Sequence, residues 1–218
     1  MSELTDAIQA GDAAKVQSLV DADPALVRAA ENNVTPILLA LYHGKAEIAQ
    51  LLAARGELSF HEAAAIGDLE RVRALLDSDP SLLDARSADG FPPVGLAIFF
   101  RQPHIARFLI ERGANVNAAA ENAQRVAPLH AAAAVCDRET LQLLLDRGAD
   151  PNAKQQLDYT PLHGAASRGD VDAAKLLLAR GAAREARAAD GMTPADIARK
   201  YGKGEFAEWI GGAAASGE

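Results

Sequence analysis

The chain has 218 residues, of which 49% are hydrophobic, 24% charged and 5% aromatic, and its formal net charge is -8. That charge argues against attraction of the whole surface to nucleic acid or anionic lipid, and the single cysteine, Cys136, excludes an intramolecular disulfide framework and a multi-thiolate metal site. An alanine-rich, aromatic-poor composition with this share of apolar residues predicts a folded chain of closely packed helices.

Signals for membrane insertion or export are absent from the sequence. No apolar run approaches the roughly 18 residues of a membrane span. The opening residues MSELTDA have neither the basic start nor the apolar stretch of a signal peptide. We therefore expect a cytoplasmic protein that binds neither membrane nor nucleic acid.

A short motif recurs along the whole chain. Its clearest copy is Thr160-Pro161-Leu162-His163, and the second residues of all copies are numbers 3, 36, 59, 93, 128, 161 and 194. Five of the six spacings are 33 to 35 residues. A threonine such as Thr160 can cap a helix whose first residue is the following proline. Glycines at 44, 67, 169 and 202 predict the end of that first helix, and leucines at helical spacing predict a second one.

Two departures from the period carry structural predictions. The spacing of 23 residues between Pro36 and Ser59 leaves no room for an inter-repeat loop at residues 54–59, so two helices should join directly there. The segments Asp21-Ala22-Asp23-Pro24 and Asp77-Ser78-Asp79-Pro80 replace the usual repeat ending, and each proline predicts a helix stop followed by a short extra turn.

The pattern resembles the ankyrin repeat, whose period is 33 residues and whose signature is T-P-L-H-x-A. Endings such as Leu143-Leu144-Leu145-Asp146-Arg147-Gly148-Ala149 are similar to the second half of that repeat. The resemblance is to a bacterial-type ankyrin repeat protein with about seven repeats, including degenerate caps. It implies an all-α repeat solenoid of helix-turn-helix units with short β-hairpin loops. We expect one domain over residues 1–210 and a flexible tail at 211–218, with units near 1–33, 34–57, 58–90, 91–125, 126–158, 159–191 and 192–210.

The sequence contains no enzyme signature that we would assign. Three of the five histidines fall at the same repeat position and so should be spread along the solenoid, and we expect no catalytic residues, no metal and no cofactor. The resemblance implies a non-enzymatic, monomeric module that binds an unidentified partner protein through its concave face. Two alternatives stay open: an effector acting in another cell, and a small-ligand binder or enzyme. The latter would need a polar cluster of perturbed ionisation on the concave face.

Candidate binding residues follow from the repeat register. Loop tips and the exposed part of each first helix form the concave face in the family, and aromatic and arginine side chains dominate binding hot spots. For Phe99 and Phe100, packing beside the missing loop is an equal alternative. The candidates are Tyr42, His43, Phe91, Phe99, Phe100, Arg101, Arg125, Tyr159, Arg168 and Tyr201.

The missing loop suggests where these residues form a site. We expect a gap at 54–59, with Tyr42 and His43 on one side and the three phenylalanines on the other. Arg101 stands where other repeats have glycine, which should break the usual helix ending because a β-carbon is costly in the left-handed conformation. Arg101 or Arg125 would then meet an acidic group of the partner.

Overall fold

The computed structural model describes residues 2–212, and that part of the chain contains fourteen α-helices. None of these helices is long and apolar enough to cross a membrane. The helices are α1 (Glu3–Ala10), α2 (Ala13–Ala22), α3 (Pro36–Tyr42), α4 (Ala46–Ala53), α5 (Phe60–Ile66), α6 (Leu69–Ser78), α7 (Pro93–Phe99), α8 (Pro103–Glu111), α9 (Pro128–Val135), α10 (Arg138–Asp146), α11 (Pro161–Arg168), α12 (Val171–Ala179), α13 (Pro194–Lys200) and α14 (Gly204–Gly212).

Consecutive helices pair, and the pairs stack into two layers. The odd-numbered helices contact one another in chain order from α1 to α13. The even-numbered helices form the second layer, with contacts such as α8 to α10 and α10 to α12. Alanines in the odd-numbered helices, such as Ala97, Ala132 and Ala165, are fully buried, and their small side chains let neighbouring helices approach closely. The all-α solenoid predicted from the repeats is confirmed.

Side chains at the start of each repeat cap the first helix. Thr35 and Thr193 accept hydrogen bonds from the backbone N–H groups of Leu38 and Asp196, as expected for N-cap residues. The degenerate copy at Ser59 forms a complete capping box with Glu62. Helix initiation is therefore encoded within each repeat.

A residue in the left-handed conformation follows most first helices. Glycine fills this position at Gly67 and Gly169, with φ of 98° and 72°. Arg101 and Cys136 take the same position without being glycine, each with φ of 58°. The expected break in the helix ending at Arg101 is therefore wrong: α7 ends like the other first helices, and its backbone accepts the strain of a β-carbon.

The inter-repeat loops are tight turns, and no β-strand is assigned within residues 2–212. The turns at 87–91, 120–126, 155–159 and 188–192 are each closed by one backbone hydrogen bond, from the N–H of the first residue to the carbonyl of the last. Neighbouring turns are joined by bonds such as Gln156 N–H to the Gln124 carbonyl. The predicted β-hairpins thus keep their turn but do not extend into ladders.

Residues 54–59 connect α4 directly to α5, as the spacing of the motif predicts. The apolar core divides at the same place. One cluster of buried residues runs from Leu4 to Leu52 and the other from Phe60 to Ile210, while Leu58 packs against both. The two short extra turns are also present, as 3-10 helices at Pro24–Arg28 and Pro80–Asp84.

The tail predicted at 211–218 falls only partly within the described residues. Gly211 and Gly212 belong to α14, whereas residues 213–218 lie outside the described part of the chain. The single domain over 1–210, with its seven unit boundaries, stays a prediction.

Candidate binding groove

A groove of about 570 Å³ lies on the face formed by the first helices and the loop tips, which we call the inner face. Helices α7, α9 and α11 provide its floor, and the loops before them provide one wall. Its lining residues are Tyr42, Asp89, Phe91, Gly95, Phe99, Asn122, Gln124, Val126, His130, Ala131, Ala134, Gln155, Thr160, Pro161 and Gly164.

Small residues on three successive helices create this space. Gly95 takes the position that His130 and His163 occupy in later repeats, so α7 places no imidazole there. Ala131 on α9 and Gly164 on α11 share the next position of the repeat. Because these residues have short side chains or none, the surface between the loop tips and the second helices remains recessed.

Four aromatic rings meet at the N-terminal end of the groove. The ring centroid of Tyr42 lies 5.2 Å from that of Phe100, 6.0 Å from Phe99 and 6.4 Å from Phe91, all in tilted arrangements. Phe99 and Phe100 are edge to face at 5.1 Å. These distances are those of favourable aromatic pairs. We call Tyr42, Phe91, Phe99 and Phe100 the aromatic cluster.

The aromatic cluster fills the space that the missing loop leaves. Because no inter-repeat loop lies between α4 and α5, Tyr42 at the end of α3 reaches past α5 to the phenylalanines two repeats further along the chain. The expected gap between Tyr42 and the phenylalanines is thus occupied by their own rings, and the open groove begins beyond them, along α7, α9 and α11.

Asp89 fixes the position of Tyr42. The Tyr42 hydroxyl donates a 2.7 Å hydrogen bond to Asp89 Oδ2, and the Ser87 hydroxyl donates to Asp89 Oδ1. Burial, and then the hydrogen bond to Asp89, raise the pKa of Tyr42 well above its ordinary value, so the phenol stays neutral and keeps donating. The carboxylate therefore sits at the groove wall with both oxygens held by neutral donors.

His130 and His163 both tie the start of a first helix to the following loop. Their Nε2 atoms lie 3.1 Å from the backbone oxygens of Tyr159 and Met192, respectively. In His163 the other ring nitrogen, Nδ1, lies 2.9 Å from the Thr160 hydroxyl. The equivalent residue before His130 is Ala127, and Nδ1 of His130 is buried without a hydrogen-bond partner. Burial lowers the pKa of His130 to about 4.

Of the ten candidate residues, the structure brings together the aromatic cluster, and three of its four rings line the groove. Phe99 is 48% exposed, whereas Tyr42, Phe91 and Phe100 are half-buried. Phe99 and Phe100 therefore pack within the aromatic cluster while the ring of Phe99 stays exposed, and their role in binding remains a prediction.

The other six candidates lie away from the groove lining. Arg101 Nη1 donates a 3.0 Å hydrogen bond to the backbone oxygen of Val135 at the end of α9, which engages its guanidinium within the chain. Tyr159 packs edge to face on His163 and bonds Asp190. The remaining four are exposed residues at separate points along the solenoid: His43, Arg125, Arg168 and Tyr201.

Several lining residues are not among the ten candidates, above all Asp89, which lies in a loop ahead of a motif, and His130. The usable signal was the small residues Gly95, Ala131 and Gly164, which fall at two neighbouring repeat positions of α7, α9 and α11 and mark where the repeat surface is recessed. The alanine in place of threonine at Ala127 was a second signal, since it removes the partner of the following histidine.

Comparison with known proteins supports this architecture. A family model described as ankyrin repeats, in three copies, matches residues 60–155 and 129–215. This chain belongs to the ankyrin-repeat family. Members of the family are generally non-enzymatic modules for protein–protein interaction.

Two known proteins are similar in sequence to part of this chain. The chain is 30% identical to the E3 ubiquitin-protein ligase KEG of Arabidopsis thaliana over 113 residues, which is 50% of this chain and 7% of that protein. It is also 30% identical to the transient receptor potential cation channel subfamily V member 6 of Rattus norvegicus over 152 residues, 63% of this chain and 20% of the channel. The match thus spans a small part of each relative.

Proposed function

We propose that this chain binds a partner protein through the groove on its inner face. The observation that carries the proposal is the groove itself, about 570 Å³ and lined at one end by three aromatic rings. Aromatic anchors in a recessed, largely apolar surface are the usual energetic centre of a protein interface. The groove also lies on the face that ankyrin-repeat proteins generally use for partners.

A photo-crosslinking experiment tests this assignment. Gln124 is exposed and lines the groove, so benzoylphenylalanine placed at this position reaches a bound partner. The matched control places the same residue at Lys175, which is exposed on α12 in the other layer. We expect ultraviolet irradiation in a lysate of the source organism to give a protein adduct at 124 and none at 175.

The aromatic cluster should supply much of the affinity for the captured partner. The double substitution Phe99→Ala with Phe100→Ala is expected to weaken binding at least tenfold, since loss of a hot-spot anchor costs about 2 kcal/mol or more. Circular dichroism and thermal unfolding establish that the variant is folded. Unchanged affinity in a folded variant, or equal adducts at 124 and 175, would contradict the proposal.

A small-molecule ligand is the second candidate, and the groove volume favours it. Pockets for such ligands measure roughly 300–1,000 Å³, with mainly apolar walls and a few polar groups. His130 and Tyr42, whose pKa values are lowered and raised by burial, both line the same groove. A ligand screen by thermal shift, repeated on the double alanine variant, tests this candidate.

A further inference from the structure

The lining of the groove carries formal charge of one sign. Among the described residues that line it, Asp89 is the one with a formal charge, and no lysine or arginine is present. The other polar side chains are amides, hydroxyls and the imidazole of His130. A partner that enters the groove therefore meets one fixed negative charge and no positive one.

Asp89 has no cationic partner within residues 2–212. Its two carboxylate oxygens accept from the hydroxyls of Tyr42 and Ser87, which orient the group without neutralising it. Each carboxylate oxygen has roughly two acceptor sites, so each can take one further donor. The two nearby arginines of the sequence prediction do not supply it, since Arg101 is engaged with the Val135 carbonyl and Arg125 does not line the groove.

The aromatic cluster adds a second feature that favours a cation. The faces of aromatic rings carry negative electrostatic potential and attract a lysine or arginine head group within about 6 Å of the ring centroid. Tyr42, Phe91 and Phe99 line the groove beside Asp89, so the carboxylate and the ring faces act on the same space. Residues 1–85, which include Tyr42, carry 6 Lys and Arg against 14 Asp and Glu, whereas residues 86–164, which supply the rest of the lining, carry 8 of each. The net of -8 on the N-terminal side of the groove adds long-range attraction for a basic segment.

We propose that the groove recognises an extended segment of the partner protein that places a lysine or arginine side chain against Asp89 and the aromatic cluster. The methylene stem of that side chain lies along the rings, and its head group donates to the Asp89 carboxylate. This inference rests on the proposed function and specifies its chemistry. It reverses the charge expected from the sequence, which assigned the positive group to this chain.

A displayed library of random twelve-residue peptides, selected against the folded chain, tests the inference. We expect the enriched peptides to share one basic residue flanked by apolar ones. Because the chain carries a net charge of -8, basic peptides also bind it nonspecifically, so composition alone decides nothing. The measurement that decides is the affinity of synthetic peptides in which the shared residue is replaced by a neutral isostere, citrulline for arginine or acetyl-lysine for lysine.

We expect that neutral replacement to raise Kd at least tenfold for the wild-type chain. Asp89→Asn keeps the size of the side chain and should raise Kd of the basic peptide by a similar factor. For the Asp89→Asn variant, the neutral replacement should add less than threefold, since the pair is already broken. The matched control is Asp190→Asn, because Asp190 holds the same loop position and accepts from the Tyr159 hydroxyl away from the groove. It should change Kd less than twofold.

The outcomes separate the two levels of the proposal. Enriched peptides that are acidic or uncharged, but that still lose tenfold in affinity with Phe99→Ala and Phe100→Ala, would overturn the cationic ligand and leave the groove as the binding site. Equal effects of Asp89→Asn and Asp190→Asn would also overturn it. A selection that yields no peptide dependent on the aromatic cluster would overturn both the cationic ligand and the proposed groove.

Discussion

The repeat built from α9 and α10 differs from the one built from α11 and α12, although both follow one template 33 residues apart. The second has Thr160 before its Pro-Leu-His and Gly169 after its first helix, whereas the first has Ala127 and Cys136 at those positions. Both replacements fall at the two ends of the helix that forms the middle of the groove floor. The difference shows that the local rules of the repeat are relaxed at its first helix while the second helix stays regular.

The second helices should therefore contribute equally to stability. Leu144 on α10 and Leu177 on α12 hold the same repeat position and are both fully buried. Leu144→Ala and Leu177→Ala are each expected to lower the free energy of unfolding by about 2–5 kcal/mol, through lost burial and the cavity left behind. Urea unfolding at neutral pH measures both.

Lys175→Ala, an exposed change on α12, is the control and should stay within about 0.5 kcal/mol. If one Leu→Ala change lowered the free energy of unfolding by less than half as much as the other, the two second helices would not contribute equally to stability.

The pH dependence of stability should show the cost of burying His130. Burial lowers its pKa to about 4 in the folded chain from an ordinary value of 6.5, so the folded state favours the neutral imidazole. The unfolded chain binds the extra proton between these values, and the stability present above pH 6.5 is lost as the pH falls toward 4. From pH 7 to 5 this loss is about 2 kcal/mol.

Comparison with His130→Gln isolates this contribution. The variant lacks the titrating group, so its free energy of unfolding should fall by about 2 kcal/mol less than that of the wild type between pH 7 and 5. The carboxylates are shared by both proteins and cancel in the difference. His163, whose pKa burial also lowers, acts in the same direction in both. Equal pH dependence of the two proteins would show that His130 is not buried as described.

Restoring the template at the helix start should stabilise the α9–α10 repeat. Ala127→Thr supplies a hydroxyl to the unpartnered Nδ1 of His130, as Thr160 does for His163, and the expected gain is about 1 kcal/mol. Ala127 is only 5% exposed, so the methyl group of threonine could clash with its neighbours. Ala127→Ser is therefore a second variant, which adds the hydroxyl without the methyl group. Thr160→Ala should cost about the same amount. Chemical denaturation measures the free energy of unfolding of all three variants. A loss of stability with both Ala127→Thr and Ala127→Ser would refute the expected gain.

The sequence predicts the helices well because their signals are local. Capping threonines, prolines and left-handed glycines act within a few residues, and so does the shortened spacing before Ser59. The groove depends instead on how repeats stack. Tyr42 and Phe99 are 57 positions apart, and their contact requires that the missing loop let one repeat reach past another. No single repeat contains that information.

Arg101 shows a further limit of sequence reasoning. A β-carbon at a left-handed position predicts a changed backbone, but the usual capping turn is present, with the N–H groups of Arg101 and Gln102 donating to the carbonyls of Ile98 and Ala97. Cys136 adopts the same φ of 58° at the equivalent position, so the helix ending of the repeat sets this backbone conformation whichever residue fills it.

The smallest expected effects concern this left-handed position. Cys136→Gly removes the β-carbon from a residue at φ 58°, and the gain should be about 0.5–1 kcal/mol after the entropy cost of glycine. Gly169→Cys is the reverse change. It should cost a similar amount, since the new Cβ would lie 3.1 Å from Cδ of Lys203, a flexible side chain that can move aside. Arg101→Gly relieves the same strain but loses the hydrogen bond to Val135, so it should change stability by less than either. Thermal unfolding of the three variants ranks them. A gain in stability with Arg101→Gly as large as that with Cys136→Gly would mean that the hydrogen bond from Arg101 to Val135 contributes nothing. The strain of the β-carbon at Arg101 would then not be offset by that bond.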